Sequence, residues 1–346
     1  MSPYQVRAAL VSDLAAFGEL AGFLNTVNLP DDPTALQHIL QRSETAFEAR
    51  RIDPRRAQYV FALQDTRDGR VVGTSALFGQ LGRRDAPYIY FDVREDEHYS
   101  STLDRHFVHK VLNIGFSYDG PTELGGLVVH PNVRGSSHRL GTMIACVRFL
   151  WLAMRRELFR DRVLAELLPP LEPDGTSHLW QAVGHHFTGL SYREADRLSR
   201  DNKEFIRGLF PAGDIYVALL SPKAQAVLGE VGQGAKAVER LLHRVGFRYA
   251  HRVDPFDGGP HFVAATDDIP LVREAYPRRV QIERPEQAVV TDGVPALVGA
   301  RWEEPPYFLA LPGRIVPGTQ SVRLGAQQAQ RLGIKRGASV WSMPLP

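Results

Sequence analysis

Residues 127–142 combine residue types and a spacing that could bind a phosphate group. They read as an apolar strand at 127–129, a turn, and the glycine-bearing start of a helix at Gly141. Backbone N–H groups in the first turn of a helix lack partners within the helix, and with the helix dipole they attract anions. Arg134 adds positive charge to the turn, and Gly135 adds backbone freedom. The sequence therefore predicts a site for a phosphate-bearing cofactor.

The text of this stretch, L-V-V-H-P-N-V-R-G-S-S-H-R-L-G-T, resembles the acyl-CoA loop of the GNAT superfamily of N-acetyltransferases. There, a strand ending in Val-x-Pro precedes Arg-x-x-Gly-x-Gly and a helix, so the resemblance implies coenzyme A. This loop is two residues longer, and Arg139 stands where the first glycine of Gly-x-Gly is expected. Arg139 either adds charge to the phosphates or disturbs their site. The predicted cofactor contacts are Leu127, Val129, Arg134, Gly135, Arg139, Gly141 and Thr142.

Further motifs recur along nearly the whole chain. They include V-R-A-A-L-V-S-D-L from Val6, T-E-L-G-G-L from Thr122, L-W-Q-A-V-G-H-H-F from Leu179, V-G-F-R-Y from Val245 and F-D-G-G-P from Phe256. The last is the most specific. Together they resemble the arginine N-succinyltransferase family, including the arginine/ornithine succinyltransferase subunits. The resemblance implies succinyl-CoA contact at Leu127 and a basic amino acid as the acyl acceptor.

Moving an acyl group from a thioester to an amine requires an uncharged amine, a donor for the carbonyl oxygen, and a proton for the thiolate. In the superfamily the oxygen donor is a backbone N–H of the strand before the loop, where Gly125 and Gly126 allow a bulge. Glu166, in the apolar strand V-L-A-E-L-L, is the leading candidate base, since partial burial raises a carboxyl pKa. Glu166 could equally lie at a strand edge and pair with an arginine.

Three other carboxylates are candidate substrate contacts. Asp196 and Asp257 suit the cationic end of a basic substrate, because a carboxylate accepts two hydrogen bonds from a guanidinium. Asp257 could instead cap the G-G-P turn. Glu123 is the third candidate, and it is also a weaker alternative for the base.

One histidine that the family resemblance implies is missing. In the family a His-Pro pair follows a helix ending in I-G-Q-V, and that His is the proton donor. Here the text is V-L-G-E-V-G-Q-G, with Gly232 at the position. His185 and His186 follow Gly184 in a predicted strand, where alternation would turn one inward to substitute. A structural role is open for both, and His130 beside the cofactor strand has the same two interpretations.

An α/β fold must position these residues. Strands are predicted at 6–9, 59–65, 71–78, 124–129 and 163–168, and helices after Ser12, from Gly141, and from Ser177. The predicted fold class is an acetyltransferase-like mixed central sheet flanked by helices.

A helix, glycine, aromatic-strand pattern occurs at residues 179–187 and again at 237–249, which indicates a partial second acetyltransferase-like lobe. From about residue 287, short apolar pieces between Pro and Gly turns predict a small β-rich C-terminal appendage. The predicted domains are an acyl-CoA-binding lobe at 1–200, the second lobe at 201–285 and the β-rich region at 286–346.

Composition restricts the class of protein. The chain has 346 residues and is 44% apolar, enough for a substantial core. Its net charge of +2 gives no drive toward nucleic acid. The single cysteine, Cys146, excludes an intrachain disulfide framework and a cysteine-rich metal site, and no metal is expected. No apolar run is long enough for a membrane span and no signal peptide is evident, so a cytoplasmic protein without a membrane partner is predicted.

Two functions from different classes follow. The first is an acyl-CoA-dependent N-acyltransferase, with succinyl-CoA and the α-amino group of arginine as the leading pair, and ornithine or another amine next. Acyl-CoA is then a cosubstrate, and no permanently bound cofactor is expected. The second is a CoA- or metabolite-binding partner subunit with little catalysis, because Gly232 replaces the proton donor. The resemblance implies a homo-oligomer or pairing with a homologous subunit.

Overall fold

A computed structural model describes residues 2–23, 28–48, 52–84, 86–172, 174–199, 202–283 and 293–346. The chain is a mixed α/β protein, as the sequence predicts. The strands are β1 Tyr4–Ala8, β2 Gln58–Asp65, β3 Val71–Phe78, β4 Tyr88–Ser100, β5 Arg105–Ser117, β6 Thr122–Val129, β7 Arg162–Glu166, β8 Ile215–Tyr216, β9 Arg248–Val253, β10 Pro260–Ala265, β11 Tyr276–Glu283, β12 Val294–Arg301, β13 Phe308–Ile315, β14 Ser321–Gly325 and β15 Ser339–Pro344.

The α-helices are mostly short. They are α1 Leu14–Ala21, α2 Pro33–Phe47, α3 Leu140–Met154, α4 His178–Ala182, α5 Gly184–Thr188, α6 Tyr192–Ser199, α7 Glu204–Leu209, α8 Pro222–Val227, α9 Lys236–Arg244, α10 Pro270–Arg273 and α11 Ala326–Arg331. Within the described ranges, none of them has the length and apolar character needed to cross a membrane.

The chain divides into two interleaved units. Unit 1 contains residues 1–80, 122–161 and 265–346, and unit 2 contains residues 81–121 and 162–264. The predicted domain boundaries, at 200–201 and 285–286, lie outside the described residues, so the predicted three-part division stays a prediction.

Unit 1 is a sheet of nine strands in the order β12-β15-β11-β14-β13-β1-β2-β3-β6. The predicted strands β2 and β3 pair as a hairpin, with Gly69 at its turn at φ +79°. The predicted β-rich C-terminal region forms β12 to β15 with α11, and it joins the sheet where β13 pairs with β1.

The sequence of α3 is apolar on nearly every side, and it forms the centre of the unit 1 core. Its residues from Leu140 to Leu152 are buried except for Gly141 and Thr142. Trp151 packs against Phe47 and Phe308, with ring centroids 4.8 and 5.1 Å away. Cys146 is completely buried in this core, and burial raises the pKa of its thiol to about 12.

Unit 2 is a sheet in the order β7-β10-β9-β4-β5-β8, with helices α4 to α9 beside it. Its core centres on Trp180, whose ring stacks on Phe256 at 5.0 Å. The long β4–β5 hairpin, with thirteen residues in each strand, was not predicted from the sequence.

The predicted strand at His185 and His186 is wrong, because both residues lie in helix α5. Gly184 does not end the preceding helix in a left-handed conformation. A Cβ there would lie 2.3 Å from the Trp180 ring, so glycine is required for close packing. The chain therefore continues as a helix until Gly189, which has φ +69°.

Candidate functional site

Strand β6 bulges at the predicted acyl contact. Two of its residues, Gly126 and Leu127, lie opposite a single residue of β3, Ser75. Gly126 has φ +56°, a left-handed conformation that glycine adopts at little cost. A bulge interrupts the ladder of backbone hydrogen bonds and turns the local backbone. The bulge anticipated from Gly125 and Gly126 is therefore present.

The α3 loop, residues 130–139, connects β6 to α3. Two of its residues are left-handed, Gly135 at φ +72° and Arg139 at φ +53°. Arg139 thus adopts the glycine-like backbone expected at its position, although it has a side chain. Its guanidinium donates a hydrogen bond to the carbonyl oxygen of Pro346. The left-handed backbone expected of the missing glycine is therefore present, and phosphate binding by the loop stays a prediction.

Arg134 lies on the exposed side of the α3 loop. Its Nε donates a hydrogen bond of 2.8 Å to the carbonyl oxygen of Val129, the last residue of β6. This contact ties the loop back onto the strand. At the start of α3, Gly141 is exposed and Thr142 half-buried, and a Cβ on Gly141 would meet no atom within 4 Å.

His130 is held by structural contacts of the same loop. Its Nε2 lies 3.0 Å from Oε1 of Glu19, and its ring packs edge-on against Phe23 at 5.1 Å. Its Nδ1 accepts a hydrogen bond from the Asn132 N–H at 3.2 Å. These contacts explain His130 without a proton-transfer role.

Glu123 lies within β6 of unit 1, and only 7% of the residue is exposed. Its Oε1 accepts a 2.8 Å hydrogen bond from the Asn28 amide. Gly125 leaves the space that Asn28 fills, since a Cβ there would lie 2.5 Å from the same amide nitrogen. Its predicted role in binding substrate stays a prediction.

Four side chains of unit 2 form the His261 cluster, which contains Tyr88, Glu166, Asp254 and His261. His261 is completely buried, and its Nδ1 lies 2.6 Å from the Tyr88 hydroxyl. Its Nε2 lies 3.5 Å from Oε1 of Glu166 and has no hydrogen-bond partner among the described residues. A carboxylate oxygen of Glu166, one of Asp254 and a ring nitrogen of His261 all lie within 4.8 Å of one another.

The surroundings keep the His261 imidazole neutral. Burial lowers its pKa to about 3, and the positive charges of Arg252 and Lys203 act in the same direction. Burial also raises the pKa of Tyr88, so this side chain remains a hydroxyl. A neutral imidazole has one N–H donor and one acceptor nitrogen, and the contact with Tyr88 is compatible with either arrangement.

Asp254 and Asp257 lie in the turn between β9 and β10, which contains the F-D-G-G-P motif. Oδ1 of Asp254 accepts hydrogen bonds from the N–H groups of Phe256 and Asp257, at 2.7 and 3.2 Å. Oδ1 of Asp257 accepts the Gly259 N–H at 2.7 Å, so the predicted cap of the turn is confirmed. A Cβ on Gly259 would lie 2.3 Å from the Leu167 carbonyl oxygen, which explains why the motif requires glycine here.

Negative charge accumulates around this turn. Burial raises the pKa of Asp257 well above its ordinary value, and the carboxylates of Asp254 and Asp196 raise it further. Burial likewise raises the pKa of Asp254, against the effect of its backbone donors. Asp196, on α6, therefore lies close enough to act electrostatically on both. This region of unit 2 favours a cation.

Lys203 is the cation that acts on Asp254, whereas Arg252, which acts on His261, already has a partner. Its Nε donates a 2.9 Å hydrogen bond to Oδ1 of Asp92, and its guanidinium lies 3.8 Å from the centre of the Tyr90 ring. These contacts fix the guanidinium beside β4. The Glu166 carboxylate lies 3.5 Å from the neutral His261 ring, and 32% of the Glu166 side chain is exposed.

Gly232 stands at the position of the family proton donor. It is buried against residues 168–169, which follow strand β7. Its N–H donates a 2.8 Å hydrogen bond to the Leu168 carbonyl oxygen. A Cβ at this position would lie 2.7 Å from the carbonyl oxygen of Pro169. The backbone here excludes any larger residue unless it moves.

His185 and His186, the predicted substitutes, are both exposed on α5. His185 Nδ1 lies 3.1 Å from the Leu190 carbonyl oxygen. The alternation argument for one inward histidine fails because the segment is helical. A proton-transfer role for either residue stays a prediction.

Sequence reasoning missed His261, Tyr88 and Asp254. His261 lies one residue beyond the F-D-G-G-P motif, and Asp254 lies two residues before it. Because the motif is so specific, the residues next to it could have been considered as candidates for the site. Tyr88 had no such signal, because it comes from a distant strand.

Comparison with known proteins identifies the family. The family model described as arginine N-succinyltransferase beta subunit matches residues 4–271. Arginine N-succinyltransferase subunit beta of Pseudomonas aeruginosa is 34% identical over 345 residues, 98% of each chain. Arginine N-succinyltransferase of Yersinia pestis is 32% identical over 342 residues, which cover 97% of this chain and 96% of that relative.

A solved structure agrees over the full length. The structure of arginine/ornithine succinyltransferase subunit AI from Pseudomonas aeruginosa matches with a TM-score of 0.84 and 28% identity, covering 100% of both chains. The match confirms the predicted fold class, and the family resemblance found in the sequence is confirmed as well. This chain belongs to the arginine N-succinyltransferase beta subunit family.

Proposed function

We propose that this chain is an acyl-CoA-dependent N-acyltransferase that moves a succinyl group from succinyl-CoA to the α-amino group of arginine. The observation that carries the proposal is the bulge at Gly126 and Leu127, directly before a helix whose N-terminal loop has two left-handed residues. A bulged strand supplies a fixed backbone donor for a carbonyl oxygen, and the helix start attracts phosphates. Family membership supports the choice of succinyl-CoA and arginine.

The proposed reaction begins with deprotonation of the substrate ammonium. Glu166 takes one proton, which leaves an electron pair on nitrogen to attack the thioester carbonyl carbon. Negative charge then develops on the carbonyl oxygen, where the backbone N–H of Leu127 stabilises it. The C–S bond breaks as the amide forms, and the second proton lost by the nitrogen moves to the sulfur of CoA.

This route needs no side chain at position 232. Because the amine nitrogen itself supplies the proton for the thiolate, Gly232 does not block the reaction. Glu166, partly exposed and 3.5 Å from the neutral His261, is suited to exchange protons with both substrate and solvent.

A second candidate function is a partner subunit that binds CoA or a metabolite with little turnover. The packing of Gly232 against Pro169 favours it, since a proton-donating side chain is excluded from that position. Ornithine or another amine as the acceptor is the remaining variant of the first proposal.

The test is a panel of acyl-CoA donors crossed with arginine, ornithine, lysine and glycine, read by release of free thiol. The chain's single cysteine is buried, so it contributes no background thiol. We expect the largest kcat/KM for succinyl-CoA with arginine. Release no faster than in protein-free controls for every pair would favour the partner subunit.

Two further parts of the proposal concern the cellular context. The relatives are named subunit beta and subunit AI. We infer that this chain also assembles, with copies of itself or with a homologous subunit, which light scattering after gel filtration would measure. The cytoplasm is the proposed location, supported by the single buried cysteine.

A further inference from the structure

The buried Nε2 of His261 is the least satisfied polar atom near the candidate base. It is inaccessible to solvent and has no hydrogen-bond partner among the described residues, while Nδ1 of the same ring is engaged by Tyr88. Buried polar atoms in proteins normally have partners, since leaving one unpaired is costly. The orphaned nitrogen faces the carboxylate of Glu166 at 3.5 Å, and a hydrogen-bond donor that approaches both atoms from the side would satisfy it.

The neighbouring atoms determine what kind of ligand fits. Glu166 and Asp254 offer carboxylate oxygens, and Nε2 is an acceptor when Nδ1–H donates to the Tyr88 oxygen. Three acceptors then converge within 4.8 Å of one another. A primary ammonium has three N–H donors, and acceptors at about 2.8 Å from one nitrogen lie roughly 4.6 Å apart when the three hydrogen bonds are linear. The size and chemistry of the cluster therefore match a primary ammonium group.

We propose that Glu166, Asp254 and His261 bind the reacting amine of the acceptor substrate in its ammonium form. The inference rests on the proposed acyl transfer and names the subsite for one end of the substrate. Each of the three residues accepts one N–H. Glu166 then takes the proton of its own hydrogen bond, so that an N–H bond breaks, an O–H bond forms, and the electron pair remains on nitrogen. This pair first points at Glu166, so the neutral amine turns away from the cluster before it attacks the thioester carbon.

A planar guanidinium fits this arrangement less well. It presents paired N–H groups that match both oxygens of a single carboxylate, whereas here one acceptor is a ring nitrogen and the two carboxylates come from strand β7 and from the turn after β9. The cluster thus selects the α-amino end of arginine over its side chain. Asp257 and Asp196, whose charges act on the same turn, are then the residues that would bind the guanidinium.

The test compares two ligands that differ only at the amine. Arginine and 5-guanidinopentanoate share the guanidinium and the carboxylate, but the second lacks the amino group. Calorimetry without CoA measures the Kd of each for wild type and for Asp254→Asn. This variant keeps an oxygen to accept the backbone N–H bonds of the turn and loses the charge. We expect arginine to bind roughly 10- to 100-fold more weakly to the variant, with 5-guanidinopentanoate unchanged.

Asp174→Asn is the matched control. Asp174 is an exposed residue of unit 2 that also caps a turn, accepting the Thr176 N–H at 2.9 Å. It should leave both affinities unchanged. Equal arginine affinity in Asp254→Asn and wild type would overturn the ammonium subsite, and so would an equal loss for both ligands. A stoichiometric metal ion, whose removal by EDTA abolishes arginine binding, would show a metal site instead.

A measurement on wild type keeps the inference testable if Asp254→Asn does not fold. With ¹⁵N-labelled histidine, the Nε2 resonance of His261, assigned by its absence in His261→Gln, should shift with arginine and not with 5-guanidinopentanoate. A shift with neither ligand, or with both, overturns the inference. Selective arginine binding without thiol release from succinyl-CoA would contradict the proposed function and leave the subsite standing.

Discussion

The α3 loop of unit 1 and the His261 cluster of unit 2 differ in how they are built. The α3 loop is exposed, comes from ten consecutive residues, and presents mainly backbone groups. The His261 cluster is largely buried and brings side chains from distant parts of the chain together. A phosphate can be held by local backbone in contact with water, whereas proton chemistry needs groups whose pKa values burial has shifted. The first kind of site is a property of a segment, and the second is a property of the folded unit.

This difference predicts separable effects of substitution. Changes in the α3 loop should alter CoA affinity and leave turnover at saturation and stability nearly unchanged. Changes in the His261 cluster or its supporting turn should alter turnover, stability or their pH dependence, and leave CoA affinity nearly unchanged.

The largest expected effect is on turnover in Glu166→Gln. The amide keeps the shape and cannot accept the substrate proton, so kcat should fall by roughly 10²- to 10⁴-fold in thiol release. The thermal midpoint and the Kd for CoA should change little. A large loss of stability with kcat per folded molecule preserved would instead show that Glu166 has a structural role.

Gly259→Ala should give the largest loss of stability, because its Cβ would lie 2.3 Å from the Leu167 carbonyl oxygen. Denaturant unfolding should show a loss of about 1–3 kcal/mol. Gly141→Ala in the first turn of α3 is the paired control, since its Cβ meets open space. That change should be neutral or stabilise by up to about 1 kcal/mol. An equal loss of unfolding free energy in the two variants would contradict the expected difference between the turn and the α3 loop.

The free energy of unfolding should fall in acid because of His261. Its folded pKa of about 3 is below the unfolded value near 6.5, so the unfolded state binds the proton first as pH falls. The stability lost by pH 5 is about 2 kcal/mol, and the loss grows toward pH 3. The cations Arg252 and Lys203 lower the His261 pKa, and Tyr88, Glu166 and Asp254 face the same ring.

His261→Gln should remove this part of the pH dependence, measured by urea unfolding between pH 5 and pH 8. His186→Gln, at an exposed histidine, should retain it. Parallel pH profiles for wild type and His261→Gln would show that His261 is not held neutral in the folded protein.

The smallest expected effect is on CoA affinity in Arg134→Ala. An exposed guanidinium beside phosphates contributes about tenfold in Kd, less at high salt. Calorimetric titration should show this loss with kcat unchanged at saturating succinyl-CoA. Arg55→Ala, at another exposed arginine of unit 1, should bind CoA as wild type does. If kcat fell in Arg134→Ala as much as in Glu166→Gln, the α3 loop would not act in CoA binding alone.

Local signals were sufficient for the α3 loop. The strand, the bulge and the helix each follow from neighbouring residues, and even Arg139 adopts the backbone predicted for a glycine. They were insufficient for the His261 cluster. No local pattern indicates that Tyr88 and His261 meet, since they are brought together only by the strand order β10-β9-β4.

Two segments with the same pattern show the limit of local reading. Gly246 is left-handed, at φ +94°, and the N–H of Phe247 donates to the Leu242 carbonyl oxygen, so α9 ends and strand β9 follows as predicted. Gly184 stands at the equivalent point after α4, but there its role is to pack against Trp180, and a second helix follows. Both segments have a glycine at the same point of the pattern. The contact of Gly184 with Trp180, which no local pattern shows, determines that a helix follows it instead of a strand.

The pairing of β1 with β13 has a consequence for biosynthesis. Val6 is paired with Leu63 on one side and with Ala310 on the other. A ribosome completes β1 to β3 long before it reaches β13, an interval on the order of ten seconds or more at the usual speed of translation. Throughout that interval one edge of β1 has no strand beside it, and such an edge can recruit strands from other nascent chains. A polypeptide terminated before Phe308 never covers that edge, and aggregation is its expected fate.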